Sequence, residues 1–252
     1  MKNCIILGSG RSGTSMVAGT LAKSGYFMGD NLYPARESNP KGFFEDPFIN
    51  NINEEILANV RLGNCNKIKK LIKGTRLRES QRWLEVLPLD AHIPSSINIE
   101  KKIITAVKQS PFCFKDPRFS YTLPVWRSFL TDVVFICIFR EPGVTAQSIV
   151  KECAQMDYLK SVKMTFELGL DVWFNMYNHI LQLHMYQGEW LFIHYNQVMT
   201  VDGINRIQAL TKAYVDDGFP EISLKRTISD ITIDTKYRDM YNQLNKLAGY
   251  NP

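Results

Sequence analysis

The sequence contains no apolar run long enough to cross a bilayer. Its longest, Val133 to Phe139, has the length of a strand, far below the roughly 20 residues a membrane helix needs. The early run Cys4 to Leu7 stops at the first glycine and is too short for the hydrophobic region of a secretion signal, so no export is expected. A disulfide framework is missing too. The five cysteines are odd in number and scattered, and Cys4, Cys113 and Cys137 sit in apolar stretches where a reduced thiol packs as a small core residue. His92, His179, His184 and His194 show no metal spacing with cysteine or aspartate. Glycine and proline are sparse, and no repeat, low-complexity tract or Gly/Ser linker occurs, which excludes fibrous and disordered classes. Nor is there a dense basic block. The short Lys67, Lys69, Lys70, Lys73 cluster reads as a solvated helix face rather than a nucleic-acid stripe. These absences leave a cytoplasmic globular protein with no nucleic-acid partner, no membrane span and no metal.

What is present is an ordinary globular composition, 45% hydrophobic and 22% charged, in a chain of 252 residues, which suits one large domain over residues 1 to 252. The net charge of +5 mildly favours an anionic ligand. Short β-branched or aromatic runs at Asn3 to Leu7, Phe112 to Lys115, Val133 to Phe139 and Trp190 to His194 read as buried strands. Helical patterns fall at Thr14 to Ser24, Pro47 to Asn59, Ile97 to Gln109, Gly143 to Lys151, Thr165 to Tyr186, Asp202 to Tyr214 and Thr235 to Leu247. Strands separated by helices predict an α/β fold, a P-loop-like, mostly parallel central sheet covered by helices on both faces. Residues 61 to 96 are the least periodic, with Gly74, Pro88 and Pro94, and read as an excursion over one edge of the sheet, either a cap or a place for ligand contacts. The aromatic set Trp173, Phe174 and Tyr177 is at core spacing and is assigned to packing.

Two places suit phosphate. Gly8 to Ser15 follows a strand and opens a helix, so the backbone N–H groups of Gly10, Arg11, Ser12 and Gly13 and the positive helix end converge on one point. Thr14 and Ser15 add hydroxyl donors. A nucleotide-triphosphatase loop requires Lys after its second glycine; here Thr14 holds that place and the cation sits inside the loop, as Arg11. The second place follows Val133 to Phe139. Arg140 stands at the carboxyl end of that strand, Pro142 opens the next helix and Ser148 lies about two turns on. A guanidinium at the end of a parallel strand is shaped for phosphate, although it can equally pair with Glu141.

Gly8 to Ser15 with Arg11, together with Arg140 and Ser148 eight residues apart, resembles the two nucleotide elements of the sulfotransferases that use 3'-phosphoadenosine 5'-phosphosulfate (PAPS). Two further segments are similar to the branch holding many bacterial and Golgi-type members: Asn39 to Asp46, which resembles the loop supplying a glutamate base, and Phe114 to Arg118, which resembles its Lys-Asp-Pro-Arg segment. The likeness spans about residues 3 to 150 and thins to Phe192 to Tyr195. It implies that Arg11, Ser12, Gly13, Thr14 and Ser15 take the 5'-phosphosulfate and that Arg140 and Ser148 take the 3'-phosphate. It implies, too, that Glu45, Lys115 and Arg11 carry the transfer of a sulfonate group to an acceptor hydroxyl or amine, leaving PAP. The histidine base of the animal cytosolic members is absent, since Asp116 and Pro117 follow Lys115. So is their late Arg-Lys-Gly loop, for which Lys225 and Arg226 are candidate substitutes.

Asp46 and Glu37 compete with Glu45 for the role of base, and Glu45 also suits a plain place near a helix start. Lys115 could instead be a surface lysine paired with Asp116. A P-loop small-molecule kinase with Asp116 as its metal-orienting acid is the alternative enzyme, and a PAP-binding protein without catalysis is the alternative outside enzymology. Acceptor identity is not encoded in any transferable motif; a glycan or other small hydroxyl compound is the weak preference from the family branch.

Overall fold

The computed structural model describes residues 1–60, 77–221 and 232–251. The Lys67 to Lys73 cluster, Lys225 and Arg226 lie outside them. Among the described residues, four strands form one sheet: β1 (Asn3–Leu7), β2 (Cys113–Lys115), β3 (Val133–Phe139) and β4 (Glu189–His194). The order is β2-β1-β3-β4 and every pairing is parallel. The helices are α1 (Thr14–Leu21), α2 (Pro47–Ala58), α3 (Ile97–Ala106), α4 (Phe119–Trp126), α5 (Pro142–Gln155), α6 (Phe166–His179), α7 (Val201–Thr211) and α8 (Thr235–Ala248).

The strands read as continuous apolar runs because both faces of the sheet are covered. Along β1, Ile5 and Leu7 enter a core shared with α2, α3, α4, α6 and α8, while Cys4 and Ile6 enter a second core beneath α1 and α7. β3 divides the same way, with Phe135, Cys137 and Phe139 on one side and Val134, Ile136 and Ile138 on the other. The thiols of Cys4, Cys113, Cys137 and Cys153 are free and buried. Among the described residues, no helix is long and apolar enough to cross a membrane.

The chain runs from β1 outward to β2 and then returns past β1 to β3, so the direction of winding reverses between β1 and β3. Ligands of open α/β sheets collect in the crevice at the carboxyl ends of such a strand pair. Leu7 pairs with Cys137, which brings the loop after β1 level with the last residues of β3, just ahead of Arg140.

Three elements depart from the pattern in the sequence. α4 was not expected; its eight residues are almost all buried, so it shows no polar face, and it carries Pro124. The long helix expected over Thr165 to Tyr186 is α6 as far as His179, followed by a π-turn over Ile180–His184. The described part of the 61 to 96 excursion does not cap a sheet edge. Leu77, Trp83, Leu84 and Leu87 pack onto Tyr121, Ile149, Val172 and Met176, so it rests on the helical layer of α4, α5 and α6.

Candidate active site

A cavity of about 500 Å³ opens at the carboxyl ends of β1 and β3. Its wall contains Gly10, Arg11, Gly13, Thr14 and Ser15 from the first loop, and Glu45, Lys115, Arg140 and Ser148 from four separate stretches of sequence. The residues singled out in the sequence therefore meet in one space, with Ser12 buried in the loop behind them.

The first loop is shaped for an anion. Side-chain oxygens of Asp46, Ser96, Glu141, Thr165, Thr200 and Asp234 cap the helices they precede, whereas α1, which begins at Gly13, and α4 have no side-chain cap. The N-terminal amides of α1 thus face the cavity with the helix dipole behind them. Gly13 has a φ of 101°, and a Cβ there would lie 2.6 Å from the Tyr195 ring. Gly8, with a φ of 133°, would place a Cβ 2.3 Å from the Ile138 carbonyl oxygen. Both need glycine for conformation and for space. Arg11 adopts a φ of 69°, a left-handed conformation that a non-glycine residue holds only when its surroundings enforce it.

The loop is held from below by α6. The Tyr177 hydroxyl donates to the Ile138 carbonyl at 2.7 Å and accepts from the Ser9 N–H at 3.2 Å. One turn earlier, the Trp173 indole N–H donates to the Arg140 carbonyl at 3.2 Å. The aromatic pair assigned to packing therefore also ties together the strand ends that present Ser9 and Arg140. Spacing alone could not show this, because a buried Tyr and a buried Phe occupy the same place in an apolar pattern.

Lys115 is buried at the end of β2 and forms an ion pair with Glu45, and its ammonium also donates to the Ser15 hydroxyl at 3.1 Å. Asn50 donates to the second Glu45 oxygen at 2.7 Å, and Asn39 donates to Ser15 at 2.9 Å. Asp46 stands apart. Its carboxylate accepts from the Phe48 and Asn31 N–H groups and caps α2. Glu37 is exposed on the preceding loop. Asp116 pairs not with Lys115 but with Arg118, at 3.0 Å, and its other oxygen accepts from Asn53 at 2.9 Å. Burial raises the Asp116 carboxyl above its ordinary value, although Arg118 pulls the other way. Arg118 also holds Glu54 at 2.7 Å, and Glu54 holds Arg82 at 2.6 Å, so the segment after Lys115 is anchored by a buried charge network.

The second candidate place for phosphate is joined to the first. Arg11 donates from Nε to the Ser148 hydroxyl at 3.2 Å and from its terminal nitrogen to the Ser38 carbonyl at 3.2 Å, and it lies 3.4 Å from the Glu152 carboxylate. The Arg140 guanidinium stacks 4.6 Å from the centre of the Tyr195 ring. Burial lowers Arg140 from its ordinary value; the neighbouring charge of Arg11 adds to the fall, and Tyr195 and Glu141 oppose it. Glu141 itself caps α5 through the Gly143 and Val144 N–H groups. Glu152 and Ser38 were not read from the sequence. The available signal was spacing, since Glu152 lies four residues after Ser148 and so on the same face of α5.

His179 and His184 are buried and bonded to backbone carbonyls, outside this cavity. Among the described residues, no group of three or more His, Cys, Asp or Glu side chains is placed to hold a metal ion.

The parallel sheet with its glycine-rich first loop defines a P-loop-like α/β architecture. Solved structures with that architecture include a sulfotransferase domain from the curacin biosynthetic pathway, 13% identical with a TM-score of 0.56, the match covering 99% of this chain and 98% of that one. A sulfotransferase domain from the Synechococcus PCC 7002 olefin synthase is 17% identical with a TM-score of 0.51, over 100% and 97% of the two chains. At such identity the likeness is one of fold. No protein-family model matches the sequence, and no curated protein matches it.

Proposed function

We propose that this protein is a PAPS-dependent sulfotransferase that moves a sulfonate group to an acceptor hydroxyl or amine. The observation that carries the reading is the contact of Glu45, Lys115 and Ser15 at one point of the cavity: a carboxylate, a buried cation and a hydroxyl of the phosphate loop, from three distant stretches of chain. The donor supplies an activated sulfur and a phosphate leaving group. The uncapped start of α1 with Thr14 and Ser15 holds the 5' end of the donor, and Arg140 and Ser148 hold its 3'-phosphate. In the transfer, the acceptor oxygen bonds to sulfur as the bond from sulfur to the bridging oxygen breaks. Glu45 takes the acceptor proton, and Lys115 and Arg11 offset the charge that grows on the leaving phosphate.

The kinase alternative assigns Asp116 to a metal, but both its oxygens are engaged inward by Arg118 and Asn53. A glycan or other small hydroxyl compound is the acceptor class favoured by the branch resembled, and the cytoplasm is the compartment in which the four buried thiols would stay reduced.

Calorimetry with PAP, AMP and ADP tests the donor site. PAP should bind clearly more tightly, because only it offers a 3'-phosphate to Arg140 and Ser148. Equal affinity for PAP and AMP would remove that site. Transfer from PAPS should persist in EDTA; phosphoryl transfer from ATP that depends on magnesium would establish the kinase, and PAP binding without turnover the non-catalytic protein.

A further inference from the structure

A carboxylate in the wall of an anion pocket is an anomaly that the reaction does not explain. Glu152 is 5% exposed, lines the cavity on the same face of α5 as Ser148, and plays no part in the transfer described above. Its partners lie on two other elements. One carboxylate oxygen faces the Arg11 guanidinium at 3.4 Å, and the other accepts from the Ser38 hydroxyl at 3.1 Å. Arg11 in turn donates to Ser148 and to the Ser38 carbonyl. A hydroxyl has one proton to give. With Arg11 donating to its oxygen, Ser148 keeps that proton for an anion on its other side.

We infer that Arg11, assigned above to the 5' end, also reaches a ligand's 3'-phosphate beside Ser148, to which it donates, and that Glu152 is its internal counter-ion, which that phosphate must outcompete, so that Glu152 sets how tightly PAP is held. The inference rests on the sulfotransferase reading for the identity of the ligand. The chemistry is a competition between two anions for one guanidinium. The 3.4 Å separation is longer than a well-formed charge-assisted hydrogen bond, so Arg11 is held in place without being saturated. Such an arrangement keeps the cation directed at Ser148 between turnovers and weakens the grip on the product, which has to leave before the next donor enters. The same carboxylate anchors Ser38, in the loop that leads on to Glu45, so the phosphate end of the pocket and the acceptor end share one contact.

The test is Glu152→Gln, which keeps the shape and the ability to accept from Ser38 but removes the charge. Calorimetry should show PAP binding about tenfold more tightly than in wild type, with a smaller gain for AMP, which offers Arg11 its 5'-phosphate but no 3'-phosphate, so that the PAP-to-AMP ratio rises. Stopped-flow release of PAP should slow to match. Glu152→Asp, which keeps the charge but draws it back by one methylene, should shift PAP affinity in the same direction by less; it carries the test if the glutamine variant fails to fold. In an Arg11→Gln background the gain from Glu152→Gln should vanish, because the effect passes through Arg11. A PAP-to-AMP ratio that either Glu152 variant leaves at or below the wild-type value overturns the inference, as does a gain that survives loss of Arg11. If wild type itself does not distinguish PAP from AMP, the sulfotransferase reading fails and this inference fails with it. If wild type distinguishes them and the Glu152 variants do not alter the ratio, only this inference fails.

Discussion

Of the acidic side chains Glu37, Glu45 and Asp46, the sequence favoured Glu45 as base with the other two as competitors, and the surroundings of Glu45 and Asp46 differ. Asp46 accepts from two backbone N–H groups as a helix cap and is not part of the cavity wall. Glu45 faces Lys115 and Asn50 in the cavity wall. Glu45→Gln should therefore leave PAP affinity near wild type and lower turnover by roughly a hundred- to ten-thousand-fold, as loss of a general base does. Asp46→Asn should change turnover little while costing about 1 kcal/mol of stability, the usual loss for a helix cap. Steady-state assays on one acceptor and urea unfolding of both variants decide this; the opposite pattern, with Asp46→Asn inactive and Glu45→Gln active, moves the base to Asp46. At this scale the sequence was informative wherever backbone geometry demands a residue type, as at Gly8 and Gly13. It was silent on Glu152 and Ser38, whose roles exist only because Arg11 turns toward α5 instead of staying within its own loop.

Among the elements, β1 and β3 were legible end to end because a strand buried on both faces is a continuous apolar run between polar ends. α4 was not legible, for a related reason: a helix buried on nearly every side has no amphipathic period to detect, and its proline reads as a break. α6 was found, but its second purpose was hidden. Trp173 and Tyr177, one turn apart, use their polar tips to fix the carbonyls of Arg140 and Ile138 at the end of β3, and Tyr177 reaches across to Ser9 after β1. Tyr177→Phe removes one hydroxyl and with it both of those Tyr177 bonds, leaving a buried N–H at the root of the glycine-rich first loop without its partner. The expected cost is about 1–3 kcal/mol in unfolding free energy. PAP affinity should fall as well, since the loop then samples conformations that do not converge on the phosphate. A variant with wild-type stability and wild-type PAP affinity would show that Tyr177 only fills space.

The whole molecule depends on a similar repair deeper in the helical layer. Pro124 lies inside α4 and has no N–H to give to the carbonyl of Ser120, four residues earlier. That carbonyl accepts instead from His184 Nε2, at 3.1 Å, from the π-turn that ends the α6 segment. To make this bond the ring carries a proton at Nε2, as both the neutral Nε2–H tautomer and the imidazolium do. Burial lowers His184 from the ordinary 6.5 to about 4; the bond to Ser120 opposes the shift, and His179 and Arg127 add to it. His179 is lowered as well, chiefly by burial. A base whose folded value is depressed stabilises the fold above its unfolded value, and that stability is lost as the pH falls toward the folded value, because the unfolded chain takes up the proton first. His184 alone should thus cost wild type roughly 2 kcal/mol between pH 7 and pH 4.5, the larger part of its window between about 6.5 and about 4. His184→Gln offers an amide N–H to the same carbonyl and does not titrate. Urea unfolding at the two pH values should show a smaller loss for the variant than for wild type, by about that amount. Equal losses in the two proteins would mean that the ring is protonated without penalty, and that burial does not hold His184 below its ordinary value in the folded protein.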